Sequence, residues 1–424
     1  MITATIITVF ILGYLAIAFE HPLKLNKAAS ALITGVFCWA IYMLKSQSPH
    51  LVEEELLHHV GNIASILFFL LGAMTIVELI DSHNGFDIIT QKISTPDKQK
   101  LLIIIALLTF FTSALLDNLT TAIIMISVCS KLLTEKEDRL WFAGMIIIAA
   151  NAGGAWSPLG DVTTTMLWIG GQITALSIIK QLILPSLVVC LVPATIISYR
   201  FKGKRINAVP PSECTDIEKK EGKIILFTGM GLLIFVPVLK NITHLPPFMG
   251  MLLALGLMWV ITTFLHKNKD SEYAARYTVA RALQKIDTSS ILFFLGILLA
   301  VSALQSFGVL KDFAAFLSST LKNDYLIGIS LGLLSAVVDN VPLVAATQGM
   351  FDLSAYPTDH YFCEFLALTT GSGGSALLIG TAAGVAVMSI EQINFIWYLK
   401  RIGWLALLGF AAGIIVFILQ QELG

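Results

Sequence analysis

Apolar residues in this chain gather into runs long enough to cross a bilayer. In the first half they fall at about Ile2–Phe19, Ala28–Leu44, Ile63–Ile80, Leu101–Leu133, Leu140–Ile173 and Ser177–Tyr199. The series then restarts at Ile224–Leu239, Phe248–Leu265, Ile291–Ser306, Tyr325–Met350, Phe362–Ile390 and Phe395–Leu419. Runs of this length predict membrane helices. Polar residues interrupt four of them. Asp117-Asn118 and Asp339-Asn340 stand near the centres of two runs. The segment Asn151 to Thr164 interrupts a third with Gly153, Gly154, Pro158, Gly160 and Asp161, and Gly371 to Gly380 interrupts a fourth. Glycine and proline there predict broken helices.

The two halves read as copies. Ser65-Ile-Leu-Phe-Phe-Leu70 returns as Ser290-Ile-Leu-Phe-Phe-Leu295, Asp117-Asn118 matches Asp339-Asn340, and Gly153-Gly154 and Gly160 match Gly373-Gly374 and Gly380. Duplicated, interrupted apolar segments at matching positions are the mark of a secondary transporter. The division predicted is a first repeat over 1–200, with a hairpin at 101–133 and a broken helix at 140–173. A cytoplasmic linker at 201–222 carries Pro210-Pro211, and a second repeat covers 223–424, with a hairpin at 325–350 and a broken helix at 362–390.

Charge then chooses the topology. If 101–133 crosses once, the basic loops Lys92–Lys100 and Lys131–Arg139 fall on opposite sides. If it dips in and returns, each half makes five crossings. Nearly every basic loop (Lys24–Lys27, Lys92–Lys100, Lys131–Arg139, Arg200–Lys223, Lys267–Lys285) then shares one face, which the positive-inside rule makes cytoplasmic. Five is odd, so the second copy is inverted. The fold class expected is an all-α polytopic membrane protein of two inverted repeats, each with a re-entrant hairpin and a broken helix. Both termini are expected outside, and the first run is expected to be a retained span rather than a signal peptide.

Composition narrows the function. The chain is 56% hydrophobic and 13% charged, against roughly 25% charged in a soluble domain. A net charge of −1 leaves no nucleic-acid footprint, and no P-loop points to ATP. Cys38, Cys129, Cys190, Cys214 and Cys363 are scattered and read as small buried side chains without a metal or disulfide role. No enzyme chemistry and no cofactor are expected.

The candidate site lies at the breaks. Asp117, Asp161 and Asp339 can serve as helix caps, but a cap is worth only about 1 kcal/mol and neutral Asn or Ser supplies it equally well. A carboxylate at mid-membrane costs about 2.5–3.5 kcal/mol, and no Lys or Arg is expected in the apolar interior to neutralise it. Such a group takes up a proton or a metal cation. Ser113, Asn118, Thr120, Thr121, Asn151, Ser157, Thr163, Thr164, Ser335, Asn340, Ser372 and Ser375 offer neutral oxygens suited to hard cations, or serve as helix-packing hydroxyls. The Na⁺ position expected is at Asp117, Asn118, Asp161 and Thr163. Asp161 aligns with Thr381, so the site is expected to be lopsided. Glu78, which aligns with Ala303, is either a proton-admitting residue or an end-of-span residue. His58, His59 and His83 read as surface residues.

These motifs resemble the NhaD-type sodium/proton antiporters of the ion transporter superfamily, most specifically through Gly153-Gly-Ala-Trp-Ser-Pro-Leu-Gly-Asp-Val-Thr-Thr-Thr-Met-Leu-Trp168. The resemblance implies exchange of Na⁺ or Li⁺ for H⁺ across a bacterial inner membrane. It also implies a homodimer in which hairpins and broken helices move against a scaffold. Its functional polar positions correspond to Glu78, Ser113, Asp117, Asn118, Asn151, Asp161, Thr163, Thr164, Ser335, Asp339, Asn340, Ser372 and Ser375. Competition of Na⁺ and H⁺ for one carboxylate cluster gives antiport without a separate coupling device. The rivals are a sodium-coupled dicarboxylate symporter on the same scaffold, which needs a donor-rich cavity, and a channel or arsenite-type permease.

Overall fold

In the computed structural model the residues described are 2–18, 24–46, 48–86, 95–206, 216–267, 269, 277–377 and 380–423. Pro210-Pro211, Cys214 and parts of the basic loops at 92–100, 200–223 and 267–285 lie outside them, as do Leu378 and Ile379 in the second break. Among the described residues the secondary structure is helical. The first half contains α1 (Ile2–Ala18), α2 (Lys27–Lys45), α3 (Pro49–Ser82), α4 (Lys98–Leu116), α5 (Asn118–Leu132), α6 (Lys136–Ala155), α7 (Val162–Ile169) and α8 (Ala175–Tyr199). The second contains α9 (Asp216–Thr243), α10 (Pro247–His266), α11 (Val279–Lys285), α12 (Thr288–Ser306), α13 (Val309–Leu321), α14 (Asp324–Leu334), α15 (Asn340–Met350), α16 (Tyr361–Gly373), α17 (Ala382–Glu391) and α18 (Phe395–Leu423, with a π turn at Leu399–Gly403). Among the described residues eight helices are long and apolar enough to cross a membrane.

The long apolar run after Lys100 folds as a hairpin. A single residue, Asp117, separates α4 from α5. The outer ends of the two limbs meet again: Lys98, at the start of α4, lies 3.6 Å from Glu135 just beyond α5 and 2.5 Å from Asp138. The limbs thus enter and leave on one face. In the second half α14 and α15 repeat this arrangement. Asp324, at the start of α14, accepts hydrogen bonds from Tyr356 and Tyr361, which follow α15.

The same contacts hold each hairpin against its broken helix. Ser113 Oγ donates to the Ala150 carbonyl at 2.6 Å, and Ser335 Oγ donates to the Thr370 carbonyl at 2.8 Å. A Cβ on Gly153 would stand 2.2 Å from the Phe110 carbonyl oxygen, and one on Gly373 would stand 2.1 Å from that of Gly332. Only glycine permits backbones to approach this closely. The sequence repeat is therefore a repeat of contacts.

Three expectations change. The helix after the linker begins at Asp216, ahead of the apolar run, because Asp-Ile-Glu-Lys-Lys-Glu is a good helix former with acids in its first turn. α3 begins at Pro49, well ahead of the apolar run that starts at Ile63, and takes in the acidic segment Glu53–Glu55 together with His58 and His59. His83 is 3% exposed, its ring stacked on His266 at 5.2 Å between centroids and tilted against Tyr277 at 4.7 Å, and so is not a surface residue.

Candidate cation site

Four helices begin where the hairpins meet the broken helices, and each begins on a side-chain cap. Asp117 accepts from the Thr120 N–H, Asp161 from the Thr163 N–H, Asp339 from the Val341 N–H and Thr381 from the Gly384 N–H. A helix N-terminus carries a partial positive charge that favours an anion. Thr381 is the neutral member of the set, which makes the cluster lopsided.

Capping does not explain Asp117. Its φ of +79° lies where glycine would be unstrained. Holding a non-glycine residue there costs of order 1–3 kcal/mol, more than a cap returns. The carboxylate is kept although the backbone resists it.

Asp161 is the hub. Its Oδ1 accepts from the Thr163 N–H and from Thr163 Oγ1, both at 2.8 Å. Asn118 Nδ2 donates to its Oδ2 at 2.6 Å, and Asn340 Nδ2 from the second half stands 3.2 and 3.3 Å from the two oxygens. Asn118 also donates to Asn151 Oδ1 at 3.1 Å. Asn151 Nδ2 in turn donates to Ser375 Oγ at 2.9 Å and Thr381 Oγ1 at 3.1 Å. With their amide N–H groups committed to these bonds, Asn118 and Asn340 can turn carbonyl oxygens toward a cation. Thr120 holds Asp117 through both N–H and hydroxyl at 2.8 Å.

Asp117, Asn118, Asp161, Asp339 and Asn340 line one cavity of about 60 Å³. That is room for about two water molecules, or for a small cation with part of its hydration shell. Asp117 and Asp161 feel each other's charge, as do Asp161 and Asp339. Most of the remaining wall is apolar, from Phe69, Leu70 and Met74 of α3 to Leu233 and Met251 of α9 and α10.

The other sequence-derived candidates divide. Ser113 and Ser335 tie hairpin to broken helix. Thr164 braces the break through the carbonyls of Ser157 and Asp161, and Ser157 Oγ accepts from the Leu159 N–H. Ser372 bonds its own helix at the Leu368 carbonyl and makes no bond to the cluster. Glu78 lies outside the cavity, 2.9 Å from Lys285 and 2.8 Å from Ser82, as an end-of-span residue would.

One expectation is overturned. Lys27, at the first position of α2, reaches the cavity and lies within Coulombic reach of Asp339. Its place next to a loop hid this, but a long aliphatic stem lets an end-of-helix ammonium reach well along a helix. Lys98, also near a loop, is buried against Asp138. Thr381 and Tyr14, whose hydroxyl accepts from the Asp339 N–H at 3.1 Å, were also not singled out. Alignment of Thr381 with Asp161 carried the signal for the first; nothing in the sequence marks the second.

The profile of the citrate transporter family (CitMHS) matches residues 14–361. Sodium/proton antiporter 1 of Arabidopsis thaliana is 44% identical over 98% of this chain and 72% of its own length. Na(+)/H(+) antiporter NhaD of Alkalimonas amylolytica is 30% identical over 97% of this chain and 89% of its own. The crystal structure of the Alcanivorax borkumensis YdaH transporter, described as having an unusual topology, superposes with a TM-score of 0.58 at 12% identity, covering 90% of each chain, and so shares the fold. The chain is a multi-pass membrane protein. It belongs to the NhaD-type sodium/proton antiporter family and carries the citrate-transporter profile over most of its length.

Proposed function

We propose that the chain exchanges Na⁺ or Li⁺ for H⁺ by letting cation and proton compete for the Asp117, Asp161 and Asp339 carboxylates. The observation that carries the reading is the confluence of three carboxylates from both halves on one cavity, with neutral amide and hydroxyl groups as their hydrogen-bond partners. An ionised carboxylate away from water is stable only with a counter-ion, so the cavity holds metal cation or proton and favours neither empty state. Na⁺ binding then releases protons, and reorientation of the loaded site completes the exchange. Na⁺ and Li⁺ are cargo; no cofactor enters the scheme.

The same reading places the hairpins and broken helices in a moving unit and α1–α3 and α9–α12 largely in a scaffold. It makes the working form a homodimer in a bilayer, with the basic loops cytoplasmic and both termini outside. The units are 1–200 and 223–424, joined by 201–222, and the membrane is the bacterial cytoplasmic membrane. Addition of Na⁺, Li⁺ and K⁺ in turn to proteoliposomes holding an acid interior tests this. Dye fluorescence should recover with Na⁺ or Li⁺ and not with K⁺; no recovery with any of them removes the reading.

The citrate-transporter profile favours a second reading, a sodium-coupled carboxylate symporter. Three carboxylates against one ammonium make the cavity a poor host for a multivalent anion. Uptake of labelled citrate or succinate driven by Na⁺ would establish the symporter; its absence alongside Na⁺-driven proton movement establishes the antiporter.

A further inference from the structure

Lys27 is the one basic side chain among the described residues lining the cavity. Its position is fixed from both sides. Asn26 caps α2 through the Ala28 N–H at 2.8 Å and takes the Ser289 hydroxyl at 3.2 Å, which ties the start of α2 to the start of α12. The ammonium lies 4.9 Å from the ring centroid of Phe293, itself 1% exposed, and Ser290 and Phe294 of the same helix share the cavity wall. From there it acts on Asp339. Among the described residues α10, which answers to α2, begins Pro247-Phe-Met-Gly without a basic residue.

We propose that Lys27 is a tethered counter-cation for Asp339 and thereby sets the affinity of the site for alkali cations. This rests on the antiport reading and deepens it. Three ionised carboxylates in a cavity this small would bind a cation tightly and release it slowly. A fixed ammonium beside Asp339 engages that carboxylate and keeps it from serving as a third ligand, so Na⁺ is held by Asp117 and Asp161 and leaves more readily. The ammonium is tethered to α2 and exchanges with neither ion. It cannot leave, so it biases every turnover alike. α2 and α12 pack closely through Gly35 and Gly296, where an added Cβ would stand 2.6 Å from the Gly296 carbonyl and 2.4 Å from the Ala31 backbone. Lys27 is therefore mounted on a rigid pair of helices, and only Asp339 belongs to a hairpin. Movement of that hairpin changes how strongly the ammonium acts on the site, and affinity follows conformation.

The test is kinetic and direct. In proteoliposomes, Lys27→Gln and Lys27→Met should lower the apparent KM for Na⁺ by about tenfold, the scale expected of one unit charge near a partly solvated site, and lower Vmax as release slows. Lys27→Arg should stay within about twofold of the parent, because it keeps the charge. In an Asp339→Asn background Lys27→Gln should have little further effect on KM. An unchanged or raised KM in the neutral variants overturns the proposal, as does a shift that survives intact in the Asp339→Asn background. Binding of ²²Na⁺ to the purified full chain is read alongside. If Lys27 governs binding as described while Na⁺ moves no protons, the antiport reading fails and this one stands. If protons move and binding ignores Lys27, the reverse holds. Lys27→Met retains the apolar stem, so it covers the case in which Lys27→Gln fails to accumulate in the membrane.

Discussion

Asn340 Nδ2 stands 3.2 and 3.3 Å from the two carboxylate oxygens of Asp161, joining the hairpin tip of one half to the broken helix of the other. Asn151 makes the reverse connection, donating from the first half to Ser375 and Thr381 of the second. A cation that pulls on Asp161 therefore pulls on both halves. Coupling between ion occupancy and the relative position of the halves needs no longer route than these side chains.

Asp117→Gly separates cap from site. The substitution loses a cap worth about 1 kcal/mol and relieves backbone strain of about 1–3 kcal/mol. Thermal stability in detergent should hold or rise while Na⁺-driven proton movement is lost. If exchange survives, Asp117 is only a cap.

Asn151→Ala takes a hydrogen bond from Ser375, Thr381 and Asn118; Asn118 keeps Asp161 and Thr381 keeps the Gly384 N–H, so the Ser375 hydroxyl is the group left unsatisfied. An unsatisfied buried polar group costs about 1–3 kcal/mol. A drop in melting temperature and a rise in the apparent KM for Na⁺ are expected together, measured by a melting curve and a dye-quench titration. Loss of stability with KM unchanged would make Asn151 a structural brace alone.

Gly153→Ala and Gly373→Ala should be equally damaging, because each added methyl meets a backbone carbonyl at about 2 Å with no flexible side chain to yield. Overpacking of this kind costs typically 1–3 kcal/mol or more. Gly61→Ala is the control: nothing lies within 4 Å of its Cβ position, and alanine in a helix is favoured by about 1 kcal/mol. Melting temperatures of the three variants decide it. A benign Gly373→Ala beside a damaging Gly153→Ala would break the structural equivalence of the two halves.

Burial pushes the His83 imidazole down to about 4, with the Leu79 carbonyl on Nδ1 partly opposing. The unfolded chain, near 6.5, binds more protons than the folded one between those values. Stability from this group is full above about pH 6.5 and falls as pH drops toward 4, by up to about 3 kcal/mol. His266, Tyr277, Glu221 and Lys269 surround the ring or act on it. His83→Gln should flatten the fall in melting temperature between pH 6.5 and 4. An identical slope in parent and variant would place the acid sensitivity elsewhere.

The breaks were legible because a charge or a Gly-Pro cluster inside an apolar run has few innocent explanations. Asp117, Asp161 and Asp339 announced themselves in that way, and the hairpins followed from where the basic loops had to fall. Lys27 and Lys98 were misread by the same logic. Each stands at a helix start beside a loop, and sequence position does not say which way a five-atom side chain lies. The bridging role of Asn151 depends on partners more than 200 residues away, Ser375 and Thr381, which no local pattern encodes. His83 was misplaced for the opposite reason, a polar residue after a span that α10 happens to cover. The strain at Asp117 became visible only as a dihedral angle.

The central claim is that Na⁺ and H⁺ contend for one set of carboxylates. The apparent KM for Na⁺ should be measured in proteoliposomes across the acid-to-neutral range at fixed membrane potential. The account predicts a KM that climbs in proportion to proton concentration while Vmax holds. A KM indifferent to pH, with only Vmax changing, would mean that the two ions bind at separate places and would contradict it.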